Sequence, residues 1–321
     1  MTVPVIVDAA GGQVGGAARF RTELLRYLAQ SGRHDVRVIG ADRQVDPTWL
    51  VRRETKFRAA CRRISLNNVS FVGPGSQRWT LLRNPLDFLT DEEHGGLTLQ
   101  QRAATSRRAT IVHMAARRSE VLVVPSTGMA SRVIRKLPSL ADRIVVRHHP
   151  VSADSIPELV PEAAILCPVL FSPYKGMTER LTELLVALDD IADPSVLLRV
   201  TAHESELPAK LAHHRRIELV GRVDHSTLRQ FWARSRAIYF PPRIESFGYP
   251  LAEARVCGKP VIARDTSQNQ EIAGPALCGF TTGDMESLRA ATKRALEQTV
   301  TPDPSPFDPV AYFDWLLGAA R

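Results

Sequence analysis

In the stretch "ESFGYPLAEARVCGKPVIA" the carboxylate of Glu245 stands in a Gly/Pro turn, and that of Glu253 follows eight residues later on a segment of helical spacing. The turn comes directly after "AIYFPP", which reads as a strand, so Glu245 falls at a strand's carboxyl end. Pro250 suits the first helical position, and Gly258 with Pro260 stops the helix after about two turns, which puts Glu253 in the first turn. Two acceptors about one turn apart, beside the free amides of a helix N-terminus, suit a ligand carrying a diol and an anionic link. The same residues fit a plainer description, in which Glu253 offsets the helix dipole and Glu245 is a solvated loop acid.

The elements that must position these acids are legible around them. "AAILCPVLF" (163–171) reads as a strand and "MTERLTELLVALDDI" (177–191) as a helix, followed by strand "SVLLRVTA", a polar helix near 205–213, strand "IELVG", helix "HSTLRQFWARS", strand "AIYF" and strand "GKPVIA". Short β-rich runs alternating with helical patterns specify a parallel sheet with crossover helices. The first half opens likewise, with strand "VPVIVDAA", a glycine loop "GGQVGG", a helix "AARFRTELLRYLAQSG" ending at Gly32, and strand "DVRVIG". Residues 41–97 show no clear period. Beyond them come a long helix "LQQRAATSRRATIVHMAARRS", strand "EVLVVPS", helix "TGMASRVIRKL" and strand "RIVVRHHPV". The Pro-containing "VSADSIPELVPEA" (151–163) is the natural linker. The fold class is therefore α/β, with two doubly wound, Rossmann-like domains, 1–155 and 156–300, and a terminal helix in 307–321 expected to pack back on the first. Ligands of such sheets bind at the carboxyl ends of the strands, here in a cleft between the two units.

A length of 321 residues fits two domains, and 44% hydrophobic with 24% charged residues is the composition of a soluble globular protein. No apolar run approaches a membrane span, and "MTVPVIVDAAGG" has no signal-peptide pattern, so a cytoplasmic location is expected. Cys61, Cys167, Cys257 and Cys278 are widely separated, which suggests neither a zinc site nor a disulfide framework. Charge is uneven. Residues 1–150 hold 24 Lys and Arg against 12 Asp and Glu, net +12, whereas the remainder holds 18 against 22, net −4. A basic half attracts nucleic acid, anionic lipid or an anionic acceptor, and arginine on solvated faces is the plainer account.

The opening segment, with "VGRVDHSTLRQFWARSRAIYFPP" before it and "QNQEIAG" after it, resembles the Glu-x7-Glu motif region of the retaining glycosyltransferases of family 4, which have the GT-B fold. The likeness reaches back to "LFSPYKG" and more weakly to "GGAARFRTELLRYLAQSG" and "VLVVPSTGMASRVI", leaving 41–75 unmatched. It implies transfer of a glycosyl group from a nucleoside diphosphate sugar to an acceptor hydroxyl with retention, without a metal or other cofactor. By the same resemblance Glu253 accepts from the ribose hydroxyls, Glu245 contacts the donor sugar, and the backbone of Ser246, Phe247, Gly248 and Tyr249 lies near the transferred group. Lys175 matches the lysine that neutralises the diphosphate, and Gly15 and Gly16 match a loop whose amides approach the donor phosphates. One departure stands out. Family members carry an arginine five residues before that lysine, where this chain has Val169 and Leu170; Arg222 and Arg243 are the nearest replacements by position. Asn84 in "LLRNPLDF" is a further candidate facing the cleft or equally a turn former before Pro85, His148, with His149, at a strand end is another for the cleft, and His113 fits a structural role. The acceptor implied is a secondary metabolite, a lipid-linked molecule or a cell-envelope glycan, with no nucleic-acid partner, and the basic first half suits peripheral contact with the inner membrane face. The alternative implied by Leu170 is a catalytically impaired GT-B protein that binds nucleotide sugar without transfer.

Overall fold

Short apolar runs such as Val5–Asp8 and Val121–Val124 pair edge to edge in parallel, each followed by a segment whose apolar residues recur at helical spacing. The computed structural model describes residues 4–55, 61–73, 77–95, 97–153, 160–168, 175–191 and 193–318. They form two units: Met1–Ser152 with Glu245–Phe247 and Phe307–Arg321, and Ala153–Ile244 with Gly248–Pro306.

In the first unit the chain runs β1 (Val5–Asp8), α1 (Gly15–Ser31), β2 (Val36–Ile39), α2 (Pro47–Glu54), β3 (Arg62–Ser65), β4 (Arg78–Leu81), α3 (Asp91–Gly95), α4 (Leu99–Ala116), β5 (Val121–Val124), α5 (Thr127–Lys136) and β6 (Ile144–Val146). The parallel sheet has the order β2-β1-β3-β4-β5-β6, so strand order reverses between β1 and β3. Asp8, fully buried at the end of β1, accepts from Arg53 (2.6 Å), Asn67 (2.8 Å), the Trp49 indole (3.1 Å) and the Ala10 amide (3.1 Å). This network fixes the start of the glycine segment. Gly15 and Gly16, read from sequence as loop, are instead the first two residues of α1, because Val14 is already extended and takes the cap position.

The second unit runs β7 (Glu162–Cys167), α6 (Met177–Asp189), β8 (Leu197–Val200), α7 (Ala209–Ala212), β9 (Ile217–Leu219), α8 (His225–Arg234), β10 (Ser235–Phe240), α9 (Tyr249–Cys257), β11 (Val261–Arg264), α10 (Ser267–Ala273), β12 (Leu277–Phe280) and α11 (Met285–Glu297). Its parallel sheet has the order β12-β11-β10-β7-β8-β9. The polar helix expected near 205–213 is a 3-10 turn at Glu204–Glu206 followed by the single turn of α7, since Pro208 interrupts it. Chain closure comes with α12 (Pro309–Leu317), which belongs to the first unit and packs on α1. Phe313, fully buried, meets the Phe20 ring edge-on at 5.6 Å, and the Tyr27 hydroxyl donates to Asp314. Among the described residues no helix is long and apolar enough to cross a membrane.

Candidate active site

In the second unit β7 and β10 are neighbours where the strand order reverses, which is where doubly wound sheets bind ligands. Both adjoining loops carry residues singled out from sequence. After β7, Lys175 is half-buried and precedes Gly176, whose left-handed backbone opens α6. The Val169–Leu170 pair lies outside the described residues. After β10, Gly248 has φ 79° and caps α9. A Cβ there would lie 2.9 Å from the Phe240 ring and 3.0 Å from Leu251, so both backbone and space require glycine. Tyr249 is the first helical residue and Pro250 the second, so half-buried Glu253 is the fifth residue of α9 rather than a first-turn acid, a shift set by where the left-handed Gly248 starts the helix. That weakens any account of Glu253 as an offset to the helix dipole, which acts within the first turn.

The two arginine candidates occupy different surroundings. Arg222, after β9, donates to the Thr201 carbonyl (2.6 Å) and to Glu206, tying it to the loop after β8. Arg243 is exposed in the loop after β10, and its carbonyl accepts from Arg264 at 3.1 Å. The sheet topology brings Lys175 and the Gly248–Glu253 segment to adjacent strand ends, whereas Arg222 sits at the β8–β9 edge.

In the first unit Asn84 follows β4 and His148 and His149 follow β6, whereas Gly15 and Gly16 open α1 after β1 and His113 lies in α4. Asn84 caps the 3-10 turn Pro85–Phe88, its side chain accepting from the Leu86 amide at 3.1 Å, which is the work of a turn former. His113 packs on Phe88 at 4.9 Å and donates to the Asp87 carbonyl at 2.8 Å, a structural role. His148 and His149 follow β6. The His149 ring stands edge-on to Phe20 and Phe247, both at 5.1 Å, while His148 lies 6.4 Å from Phe247 and 5.6 Å from Phe307. Burial holds the His149 imidazole well below its ordinary value, with nearby Arg83 and His148 acting the same way, so the ring is neutral.

The tripeptide Glu245–Phe247 belongs to this unit. Ser246 uses three polar atoms there: its amide donates to Glu245 Oε1 (3.0 Å), its carbonyl accepts from Ser126 Oγ (2.7 Å), and its own Oγ donates to the Arg83 carbonyl (2.6 Å). Sequence reasoning did not single out Ser126 or Arg83. The available signal was Ser126 itself, a serine directly before a helical pattern, which marks it as the cap of α5 and nothing more. Among the described residues no three His, Cys, Asp or Glu side chains come together as a metal site would need.

The family model described as "Glycosyl transferases group 1" matches residues 172–298. An O-antigen chain mannosyltransferase B of Escherichia coli is 24% identical over 201 residues, covering 56% of this chain and 52% of that protein. The chain thus spans about half the length of the curated relative it matches. Among solved structures, sucrose-phosphate synthase from Thermosynechococcus elongatus is similar with a TM-score of 0.66, 15% identity, and 96% of this chain and 92% of that chain covered. WaaG, a glycosyltransferase involved in lipopolysaccharide biosynthesis, matches with a TM-score of 0.66 at 14% identity, covering 98% and 94%. The fold is GT-B, and the match to the group 1 family model falls within the second unit.

Proposed function

We propose that the chain is a retaining, metal-independent glycosyltransferase that moves a sugar from a nucleoside diphosphate sugar to an acceptor hydroxyl. The observation that carries this reading is the placement of Lys175 and the Gly248–Glu253 segment on the two adjoining loops at the β7/β10 reversal, both within the matched region. In it, Glu253 accepts from the ribose diol and Glu245 orients the donor sugar. Lys175 and the amides at the start of α9 stabilise the departing diphosphate as its charge develops. The acceptor oxygen bonds to the anomeric carbon on the face from which the diphosphate leaves. The carbon–oxygen bond to phosphate breaks with its electron pair, and the hydroxyl proton passes to the phosphate oxygen. Neither glutamate forms a bond to the sugar, and a trapped glycosyl adduct on either would overturn the scheme.

Likeness to an O-antigen mannosyltransferase makes GDP-mannose the first donor to try and a glycan chain, free or lipid-linked, the first acceptor class. Thermal unfolding with GDP, UDP, dTDP and ADP, in the wild type and in Glu253→Ala and Lys175→Ala, tests the reading. One nucleotide should raise the midpoint, by an amount set by its concentration over Kd, and both substitutions should abolish the rise. No rise with any nucleotide sinks it. Leu170, in place of the usual arginine, favours a second reading, binding without turnover; a midpoint rise with neither transfer nor donor hydrolysis would decide for that.

Contact with a lipid surface belongs to the same proposal and has a specific face to support it. On α4 the exposed side carries Leu99 (82% exposed), Ile111 (48%) and Met114 (57%) together with Arg107, and Arg117 and Arg118 stand just past its end. No acidic residue occurs from Leu97 to Ser119. Mixed apolar and cationic exposure of this kind fits an anionic bilayer interface.

A further inference from the structure

We infer that Ser126 is a positioning residue for the donor-sugar acid Glu245, acting through the backbone of Ser246. Its catalytic consequence rests on the transfer reading above, but its structural consequence does not. Ser126 sits at the end of β5, fully buried, with extended backbone (φ −155°, ψ 160°). Its hydroxyl does two things at once: it accepts from the Met129 amide at 3.1 Å, capping α5, and it donates to the Ser246 carbonyl at 2.7 Å. A hydroxyl has one proton and two lone pairs, so both bonds are made without conflict. From Ser246 the chain of bonds continues through its Oγ to the Arg83 carbonyl (2.6 Å). The Arg83 amide in turn donates to Asn68 Oδ1 (2.7 Å), and Asn68, in a left-handed conformation (φ 67°) and buried, donates to Asp87 (3.2 Å).

The tripeptide is thereby held on two sides by groups anchored at the ends of β4 and β5. Within it, Phe247 stands edge-on to the buried His149 ring at 5.1 Å, a third contact on the segment. With carbonyl and hydroxyl of Ser246 both fixed, the Ser246 amide presents a constant direction to Glu245 Oε1, at 3.0 Å, and so sets the carboxylate. A carboxylate that must meet sugar hydroxyls at hydrogen-bond distance loses much of its effect when displaced by about 1 Å.

Substitution at Ser126 separates this role from helix capping. Alanine removes both bonds. Glycine removes the hydroxyl while weakening the cap much less than alanine does, and threonine keeps a hydroxyl for both. Hydrogen exchange of the peptide spanning 245–248 should quicken in Ser126→Ala and Ser126→Gly and stay near wild type in Ser126→Thr. Turnover of GDP-mannose or UDP-glucose, read as donor hydrolysis, should fall about 10- to 100-fold in kcat in the alanine and glycine variants. Titration with GDP and UDP should give a Kd unchanged within about twofold, because only the sugar-contacting acid moves. Ser246→Ala removes only the bond to the Arg83 carbonyl and leaves the carbonyl that Ser126 holds, so combined with Ser126→Ala it should quicken exchange beyond either alone. Unchanged exchange in Ser126→Gly overturns the proposal whatever the activity does. Faster exchange with unaltered kcat also overturns it, leaving Ser126 a structural clasp. If the wild type neither binds a nucleotide nor hydrolyses a donor, the transfer reading fails, and the exchange measurement alone then decides whether Ser126 holds the loop.

Discussion

Gly248 and His149 show how much the site depends on single positions. Gly248 combines φ 79° with neighbours at 2.9 and 3.0 Å from any added Cβ. Gly248→Ala should cost the second unit about 1–3 kcal/mol of stability, measured by urea unfolding, and should depress donor binding more than that loss explains. His149 is neutral when folded because it is buried, whereas in the unfolded chain its pKa is about 6.5. Below that pH the unfolded state takes up a proton the folded state refuses, so stability is complete near pH 7 and drops on acidification, by up to ~1.4 kcal/mol per pH unit. His149→Phe, which keeps a ring against Phe20 and Phe247, should flatten the decline in Tm between pH 7 and 5. At this scale the positions of Glu245 and Glu253 were legible, whereas the roles proposed for them came only from the family resemblance, and Ser126 was not legible at all. Its partner is 120 residues away and no local pattern encodes the contact.

Elements were legible where their apolar period was intact and hidden where charge entered it. β3 begins "RR" and β4 begins with Arg78, and Arg63 is nonetheless buried at 6% exposure, so these strands carry no alternating signature. What lets that region hold arginine inside is local pairing. Arg53, 1% exposed, donates to Asp8 and to the carbonyls of Val69 (2.9 Å) and Ser70 (2.6 Å), which ties α2 to the ends of β1 and β3. Asp8→Ala should therefore cost about 3–5 kcal/mol, because it leaves the buried guanidinium with only the more distant Glu54 carboxylate (3.6 Å) and takes the acceptor from Trp49 and Asn67. Replacing both partners, as Asp8→Leu with Arg53→Met, should recover much of that loss in the same unfolding assay. Recovery would separate the price of an orphaned charge from any need for the pair itself. The position of α9 failed in a different way: its sequence signals, Pro250 and Gly258, were read correctly, but a left-handed Gly248 lets Tyr249 join the helix, which moves Glu253 a residue deeper.

Across the whole molecule, charge and exposure point the same way, although neither was separable from ordinary arginine usage in the sequence. The basic excess lies in residues 1–150, and within it α4 presents Ile111 and Met114 beside Arg107 with no acid on the helix. Arg108 is not part of that supply, since it is bound to Asp87 at 2.6 Å. A bilayer partner makes a demand that a solvated face does not: both the cations and the apolar side chains must contribute. Flotation with phosphatidylcholine vesicles, with and without phosphatidylglycerol, should show binding only to the anionic set and weakening as salt rises. Arg107→Gln and Arg118→Gln should each weaken it about fivefold, the equivalent of about 1 kcal/mol per surface cation. Met114→Ser with Ile111→Ser should weaken it at every salt concentration, because burial of apolar area is not screened. Equal partition onto both vesicle types would leave the cations without a part in it, and binding to neither would assign the α4 face to solvent and leave the basic half to serve an anionic acceptor.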